Sequence, residues 1–434
     1  MPDLTPTLLP QLQSHRLPGL DLGEGLIHPA YQGLALSSIP ASIPGWLGME
    51  KLGGPVQPPL AEPILSALPG DVEQVVLFLV DGLGLLNLQA MLQRVDDYPS
   101  LAAWPQLLAN GLLAPLTSVA LSTTSAALTT LWTAAAPAAH GVLAYELFLK
   151  EYSLTANMIS HSPASFSGDV GGLARTGFSP HSFLPVARLA DQLLAGGVGV
   201  YAFQHAAIAH SGLSTMLLGE AEVVPFKNLS DMWVSLEGLL RWRGGQPTYA
   251  YAYFGELDEL MHRYGPQDER VVMEFAAFTS GFERFLRRLA AHSGGRTRVV
   301  LTADHGLINT PIRPELDLHR HPQFVDHLVM LPSGEARVPF LYVRPGHEDA
   351  LHAYAAQAWP GRFRLLRSAD ALTLGLFGPP PVYPPSLARL GDWLLIPQED
   401  DYLFWDGRKE NSMRGRHGGF SPEEMLIPLM VFEV

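Results

Sequence analysis

The stretch TSVALSTTSAALTTLWTAAAPAAHG, residues 117–141, is the segment around which the rest of the chain is organised. Hydroxyl side chains fill residues 122–125, and apolar residues recur at helical spacing from Leu128 onward. Because Ser and Thr favour the start of a helix, this pattern predicts a helix that begins near Thr124 and stops before Pro137. The N-terminus of a helix offers unpaired N–H groups to an anion such as phosphate. Ordinary helix capping explains the same pattern, so other parts of the chain must decide between the two.

The composition limits the classes of partner. The chain has 434 residues, 47% of them hydrophobic, which is enough for one large α/β domain with insertions or for two or three domains. Its formal net charge is −14. Because nucleic-acid backbones and anionic membranes attract basic surfaces, we expect neither a nucleic-acid polymer nor a membrane as a partner.

Cysteine is absent from the chain. Disulfides, thiolate metal sites and cysteine nucleophiles are therefore excluded, and any metal must bind to nitrogen and oxygen ligands. The N-terminal residues lack the basic start and the long apolar run of a secretory signal. No apolar stretch reaches the roughly 18 residues of a membrane span. These features predict a cytoplasmic protein.

Three predicted strands end in acidic or imidazole side chains. The strands are continuous or nearly continuous apolar runs, which are typical of a parallel sheet covered by helices on both faces. The side chains are Asp81 after residues 74–79, Asp258 and His262 after residues 248–254, and Asp304 and His305 after residues 298–302. Open α/β sheets bind their ligands at the carboxyl ends of such strands. Each residue alone could equally cap a helix, close a turn or form an exposed pair.

The spacing of these side chains suits metal binding. Asp258 and His262 are four residues apart, which places both on one face of a helical turn. Asp304 and His305 are adjacent, and in a turn both can reach one ion. Another histidine, His417, lies among glycines near the C-terminus. Together with the aspartate of the first strand, these nitrogen and oxygen ligands suit one or two divalent ions of the zinc or manganese kind. Two such ions about 4 Å apart can clamp phosphorus for in-line displacement and activate a hydroxyl nucleophile.

The order of the motifs resembles the alkaline phosphatase superfamily and, within it, the type I phosphodiesterases and nucleotide pyrophosphatases. The resemblance rests on five separated blocks. They are VDGLG at 80–84, STTSAALTTLWTAAAPAAHGV at 122–142, LDELMHRYGP at 257–266, TADHG at 302–306 and RHGG at 416–419. It implies an alkaline-phosphatase-like α/β/α sandwich with a largely parallel central sheet and an inserted smaller lobe.

The resemblance also implies roles for individual residues. Thr124 matches the nucleophile. It also belongs to the ligands of one metal, which we call the first ligand group: Asp81, Thr124, Asp304 and His305. The ligands of the other metal form the second ligand group: Asp258, His262 and His417. The implied cofactors are two divalent ions, zinc or alternatively manganese.

The function implied is hydrolysis of a small-molecule phosphate ester or diester through a phosphothreonine intermediate, as in a phosphodiesterase or nucleotide pyrophosphatase. A phosphomonoesterase, a phosphonate hydrolase or a metal-dependent phosphomutase could use the same scaffold. A sulfatase is disfavoured because the chain has no cysteine to modify. From a different class, the chain could be a binding module that kept the fold without catalysis. The sequence contains no indication of the oligomeric state.

Composition also predicts the domain organisation. Residues 1–70 are rich in Pro and Gly and read as an arm packed on the core. The hydrolase core would comprise residues 71–306 and 417–434. Between them, residues 307–416 differ in composition from the core and contain a predicted hairpin at 329–343 and a Pro-rich segment. We expect this part to form the inserted lobe near the active site.

Overall fold

The computed structural model describes residues 2–166, 168–407 and 410–434. The strands are numbered in chain order. They are β1 (Gln74–Val80), β2 (Leu112–Thr117), β3 (Glu146–Leu149), β4 (Leu154–Asn157), β5 (Ser162–Pro163), β6 (Gly199–His205), β7 (Glu222–Phe226), β8 (Thr248–Phe254), β9 (Thr297–Thr302), β10 (Ile308–Asn309), β11 (Ser333–Gly334), β12 (Pro339–Leu341), β13 (Phe363–Arg367), β14 (Trp393–Pro397), β15 (Gly415–Arg416) and β16 (Leu426–Glu433).

The α-helices are numbered in the same way. They are α1 (Thr5–Ser14), α2 (Ser38–Trp46), α3 (Glu62–Leu65), α4 (Leu85–Leu92), α5 (Trp104–Asn110), α6 (Thr124–Thr133), α7 (Pro137–His140), α8 (Leu189–Ala195), α9 (Gly212–Leu218), α10 (Leu229–Arg243), α11 (Glu256–Tyr264), α12 (Glu269–Ser293), α13 (Pro322–Asp326), α14 (Glu348–Ala358), α15 (Ser368–Thr373), α16 (Ser386–Leu390) and α17 (Pro422–Met425).

The central sheet has the strand order β2-β16-β9-β1-β8-β6-β7. Its pairs are parallel except those of β16, which runs antiparallel to both β2 and β9. In register, Val80 lies opposite Phe254, and Leu79 lies opposite Thr302. The residues that follow β1, β8 and β9 therefore lie close together, at the carboxyl ends of these three strands. The predicted α/β class with a largely parallel central sheet is confirmed.

Helices cover both faces of this sheet. On one face, Phe78 of β1 packs edge-on against Phe282 and Phe285 of α12 and lies 5.2 Å from the ring of Trp233 in α10. On the other face, Trp132 of α6 packs against Tyr251 of β8. β1 and β9 at the centre of the sheet are buried throughout because they face helices on both sides, which explains their continuous apolar sequences.

A second, antiparallel sheet has the order β13-β14-β12-β11-β3-β4-β5. It combines strands from residues 146–163 with strands from residues 333–397, and the predicted hairpin forms its β11–β12 pair. A separate apolar cluster supports it, with Phe324, Leu341 and Trp359 among its members. The division into arm, core and inserted lobe stays a prediction, and β3 to β5 join the sheet of the lobe from outside its predicted limits.

Some local predictions differ from the structure. The polar-faced pattern of residues 87–110 predicts helical structure, but this range is divided between α4 and α5, which are separated by a turn and a short 3₁₀ segment, Pro99–Ala103. The sequence of residues 402–405 predicts a strand, but Phe404 forms an isolated bridge with Asp317 there. Within the described residues, no helix combines the length and apolar character needed to cross a bilayer.

Candidate metal centre and nucleophile

The predicted nucleophile begins a helix, as its sequence indicated. Thr124 is the first residue of α6, and Thr123 before it has the extended backbone of an N-cap position. Thr124 is 8% exposed, and its Oγ1 atom lies 3.2 Å from Nε2 of His305. Of the many hydroxyl groups in residues 117–133, that of Thr124 thus lies beside the imidazole of His305, which follows β9.

The side chains of the first ligand group converge at the carboxyl-terminal end of the central parallel strands. Nε2 of His305 lies 3.6 Å from Oδ1 of Asp81 and 3.3 Å from Oδ2 of Asp304. The hydroxyl of Tyr253 donates to Oδ2 of Asp81 at 2.5 Å. Both aspartates and the histidine are almost fully buried. These four predicted residues, Thr124 included, therefore lie together.

Gly82 allows the two ligand groups to approach each other. Its φ is +77°, and a Cβ atom there would meet Leu307 at 2.7 Å and Asp258 at 3.3 Å. Its N–H donates to Oδ1 of Asp304 at 3.2 Å. A side chain at this position would push apart the turn after β1 and the start of α11.

The second ligand group lies on α11 and on the loop after β15. Nε2 of His262 is 3.3 Å from Oδ2 of Asp258, and Nε2 of His417 is 3.9 Å from Oδ1 of the same aspartate. The Nδ1 atoms of these histidines donate to backbone carbonyls, at 2.8 Å to Gly415 and at 3.0 Å to Ser122. In the neutral form of each ring, the proton on Nδ1 leaves Nε2 as an acceptor toward the site, which suits metal coordination.

The charges within the site are not balanced. Burial, together with the nearby charges of Asp304 and Asp258, raises the pKa of Asp81 well above its usual value. Burial also raises the pKa of Asp304. Burial opposes ionisation of Asp258 too, but the charge and hydrogen bond of His262 outweigh it and lower that pKa. His262 has a raised pKa because Asp258 outweighs the effect of burial.

Burial, reinforced by the positive charge of His305, holds the pKa of His417 well below its usual value. Among the described residues, three carboxylate oxygens of the site are buried without a hydrogen-bond partner. They are Oδ1 of Asp81, Oδ2 of Asp304 and Oδ1 of Asp258. Unpartnered buried carboxylate oxygens are costly unless a cation neutralises them. The residues therefore fit divalent metal ions.

The described part of the chain contains two sets of three residues that could hold a metal ion. Within each set, the ligand atoms all lie within 4.8 Å of one another. One comprises Asp81, Asp304 and His305, and the other comprises Asp258, His305 and His417. His305 belongs to both sets, because its ring stacks on that of His417 with centroids 3.7 Å apart. Assignment of His305 to the first ligand group and of His262 to the second stays a prediction.

Two cavities meet at Thr124. The larger, of about 450 Å³, lies between the core and the second sheet; among its lining residues are Thr124, Asp258, Glu335, Trp405 and His417. The smaller, of about 90 Å³, is mostly apolar, and Leu128, Trp132, Leu213 and Tyr253 belong to its wall. Thr124 and Ile159 line both. A phosphorus atom at Thr124 would therefore have space on two sides.

The sequence did not single out Glu335, which reaches this site from the turn between β11 and β12. Its Oε1 atom accepts hydrogen bonds from the Thr123 hydroxyl at 2.5 Å and from the Tyr145 N–H at 3.1 Å. Burial raises the pKa of Glu335 to about 8. Thr123 and Glu335 are 212 residues apart, so no local pattern could reveal the contact.

Known proteins resemble the chain in sequence and in fold. The human ectonucleotide pyrophosphatase/phosphodiesterase family member 7 is 26% identical over 158 residues, which are 32% of this chain and 34% of that protein. The chain thus matches about a third of the length of this relative.

Solved structures that share the fold include the following two. Murine ectonucleotide pyrophosphatase/phosphodiesterase 5 superposes with a TM-score of 0.60 at 14% identity, over 82% of this chain and 87% of its own. Phosphonoacetate hydrolase from Sinorhizobium meliloti 1021, bound to phosphonoformate, superposes with a TM-score of 0.59 at 17% identity, over 82% and 89%. At these identities the likeness establishes the fold alone.

The sequence profile of the type I phosphodiesterase / nucleotide pyrophosphatase family matches residues 75–419. This range contains both ligand groups and most of the chain. The family is one of metal-dependent hydrolases that act on phosphoric ester bonds. The resemblance seen in the motifs is confirmed: the chain belongs to the type I phosphodiesterase / nucleotide pyrophosphatase family.

Proposed function

We propose that the protein is a two-metal phosphodiesterase that acts through a phosphothreonine intermediate at Thr124. One observation carries the proposal. The buried carboxylates of Asp81, Asp258 and Asp304 converge beside Thr124 with oxygens that have no hydrogen-bond partner in the described chain. Such a cluster would be strongly destabilising in a protein that never bound cations there.

The two ligand groups would each hold one ion, zinc or alternatively manganese, since their donors are oxygen and nitrogen without sulfur. When bound, the ions supply positive charge that lowers the pKa of a nearby hydroxyl and stabilises charge on phosphate oxygens. The hydrogen bonds of His262 and His417 to backbone carbonyls would fix the orientation of their rings before any ion arrives.

The remaining chemistry belongs to residues of the chain. The hydroxyl of Thr124 loses its proton to solvent as its Oγ1 atom attacks phosphorus in line. The bond from phosphorus to the ester oxygen on the opposite side breaks, and that oxygen leaves with the bonding electrons and takes up a proton from solvent. The first-turn amides of α6 would stabilise the equatorial oxygens. Water then attacks the phosphothreonine, which releases the phosphate product and restores the Thr124 hydroxyl.

The two cavities favour a diester over a monoester. A diester has substituents on two oxygens, and Thr124 has space on two sides. The smaller cavity is apolar and has room for a short substituent, whereas the larger cavity combines carboxylate, amide and aromatic side chains. We therefore propose a small-molecule phosphodiester with two unlike substituents. The cytoplasmic location and the absence of a nucleic-acid partner stay predictions from sequence.

Phosphonate hydrolysis is the second candidate. It is favoured by the shared fold with a phosphonoacetate hydrolase whose structure contains phosphonoformate. A phosphonate would present a carbon substituent where a diester presents an ester oxygen.

The test combines metal analysis with trapping of the intermediate. Purified protein should contain two zinc or manganese ions per chain and hydrolyse bis(p-nitrophenyl) phosphate faster than p-nitrophenyl phosphate or phosphonoacetate. Acid quenching during turnover of bis(p-nitrophenyl) phosphate should leave a p-nitrophenyl phosphoryl group, one p-nitrophenol having left, on the peptide that contains Thr124, and the Thr124→Ala variant should show no such adduct. A Thr124→Ala variant that kept wild-type turnover would contradict the covalent mechanism, and faster cleavage of phosphonoacetate would favour the second candidate.

A further inference from the structure

The turn between β11 and β12 contacts two segments near Thr124, which are the start of α6 and the loop that carries His417. Glu335 accepts the hydrogen bond from Thr123, next to Thr124. Two residues later, Arg337 forms a buried ion pair with Glu424 at 2.7 Å, and Glu424 in turn accepts the N–H of Gly419 at 2.8 Å. The turn thus links the start of α6 to the loop that carries His417.

The contact with Glu335 changes what Thr123 does. A threonine at the N-cap position usually accepts a hydrogen bond from an amide of the first helical turn. Thr123 occupies the N-cap position of α6, yet its side chain makes no capping hydrogen bond. Its hydroxyl is instead directed toward Oε1 of Glu335. The first turn of α6 is therefore left without a side-chain cap.

A second observation points to a ligand at the same turn. Oγ of Ser125, the second residue of α6, is fully buried and has no hydrogen-bond partner in the described chain. Buried hydroxyls without a partner are rare in folded proteins. A phosphate oxygen at the start of α6 would provide an acceptor for this hydroxyl as well as for the amides.

We propose that Glu335 is a positioning residue that holds the Thr123 hydroxyl away from the first turn of α6, so that the amides of this turn stay available to the phosphate of the substrate. The inference rests on the proposed function, since it concerns the phosphate that Thr124 would attack. Glu335 acts through Thr123 and not on the reacting atoms. Without its acceptor, the Thr123 hydroxyl would rotate and cap the helix, and it would compete with the phosphate for the same amides.

The first measurement is the affinity of the zinc-loaded protein for inorganic phosphate by calorimetry. Glu335→Ala should bind phosphate about tenfold more weakly than Glu335→Gln, which retains an acceptor oxygen for Thr123 and also lacks the charge. Glu348→Ala, an exposed glutamate in α14 of the same region, is the matched control and should bind phosphate as the wild type does. Equal affinities of the two Glu335 variants would overturn the inference.

A double variant separates this role from a general structural one. In Thr123→Val/Glu335→Ala no hydroxyl remains to cap the helix, so phosphate affinity should recover to within about twofold of that of Thr123→Val alone. A merely structural role of Glu335 predicts no recovery. A double variant that bound phosphate as weakly as Glu335→Ala would therefore contradict the proposal.

Thermal unfolding of the metal-free protein provides an independent measurement. Adding Thr123→Val to Glu335→Ala should lower Tm, because it removes the new cap, whereas the same change in the wild-type background should lower Tm less. An equal change of Tm in both backgrounds would contradict the proposal. Because this measurement needs neither metal nor turnover, it stands even if the protein proves not to be a phosphodiesterase.

Discussion

The two ligand groups differ in construction although both face Thr124. Asp81, Asp304 and His305 of the first group follow strands of the central sheet, and their side chains are at most 2% exposed. In the second group, Asp258 and His262 lie on α11, with side chains 18% and 21% exposed. One group is part of the core, and the other forms a wall of the larger cavity.

The pKa shifts of the ionisable side chains also differ between the two ligand groups. In the first group, buried carboxylates raise one another's pKa, and no cationic side chain outweighs the effect. In the second group, Asp258 and His262 shift each other toward the charged forms. The comparison teaches that, without a cation, burial favours protonation of the carboxylates in the first group, whereas the second group is partly neutralised by its own ion pair.

Substitution of His305 should affect both ligand groups, because its ring can contribute a ligand atom to either set. We expect His305→Ala to weaken both metals and to lower turnover by about 10³-fold, since each ion contributes several kcal/mol to transition-state stabilisation. Metal content by elemental analysis and steady-state turnover measure the effect. A variant that lost only one ion would show that His305 serves a single site.

Variants within one group would sharpen the distinction. Asp304→Asn should leave about one ion per chain, and so should His262→Gln, with turnover reduced by about 10²-fold in each. The ion that remains should differ between the two variants. Metal titration of each variant should therefore resolve one site of unchanged affinity. Loss of both ions from either single variant would mean that the groups do not bind independently.

The pH dependence of the chelated protein tests the electrostatic difference. The pKa of Asp304 is raised on folding, so its stabilising contribution is complete below its unfolded pKa and is lost as pH rises through the folded value. In EDTA, the free energy of unfolding of Asp304→Asn should therefore rise relative to that of the wild type as the pH increases from the ordinary aspartate pKa through the raised pKa of Asp304. A tenfold change in the acid dissociation constant corresponds to about 1.4 kcal/mol.

His262 should behave in the opposite way. Its raised pKa and the lowered pKa of Asp258 mean that the pair stabilises the fold above the unfolded pKa of Asp258. This contribution persists until the pH passes the folded pKa of His262. His262→Gln should therefore destabilise the chelated protein near pH 6. Urea denaturation of both variants across this range compares the groups directly, and parallel pH profiles would refute the difference.

The structure brings the predicted site residues together, and each of them could be proposed from the sequence because its pattern is local. A buried strand followed at once by an aspartate identifies Asp81 and Asp304 without knowledge of their neighbours, and the parallel sheet then brings such ends together. The sheet order, in contrast, depends on pairings between distant segments. For this reason the strands at 146–163 were not expected in the same sheet as the predicted hairpin.

The residues that the sequence missed all act across long separations. Glu335 and Arg337 lie in an ordinary hairpin turn, and only the fold shows that one contacts Thr123 and the other Glu424. Tyr253 was read as part of a strand, yet its hydroxyl donates to Asp81. Side chains that orient the ligands carry no pattern of their own, because their partners lie far away in the sequence.

Substitution of Tyr253 should have the smallest effect of these variants, and it tests whether the two ligand groups are supported separately. Its hydroxyl orients Asp81, whereas the histidines of the second group are oriented by backbone carbonyls that no substitution removes. Tyr253→Phe should therefore weaken one of the two ions about tenfold, as is usual for loss of a residue that orients a ligand. The other ion should be unaffected, and at saturating metal kcat should stay within about twofold of the wild-type value. Equal weakening of both ions in a competition titration with a chelator would mean that Tyr253 supports the site as a whole and that the two groups are less separate than their construction indicates.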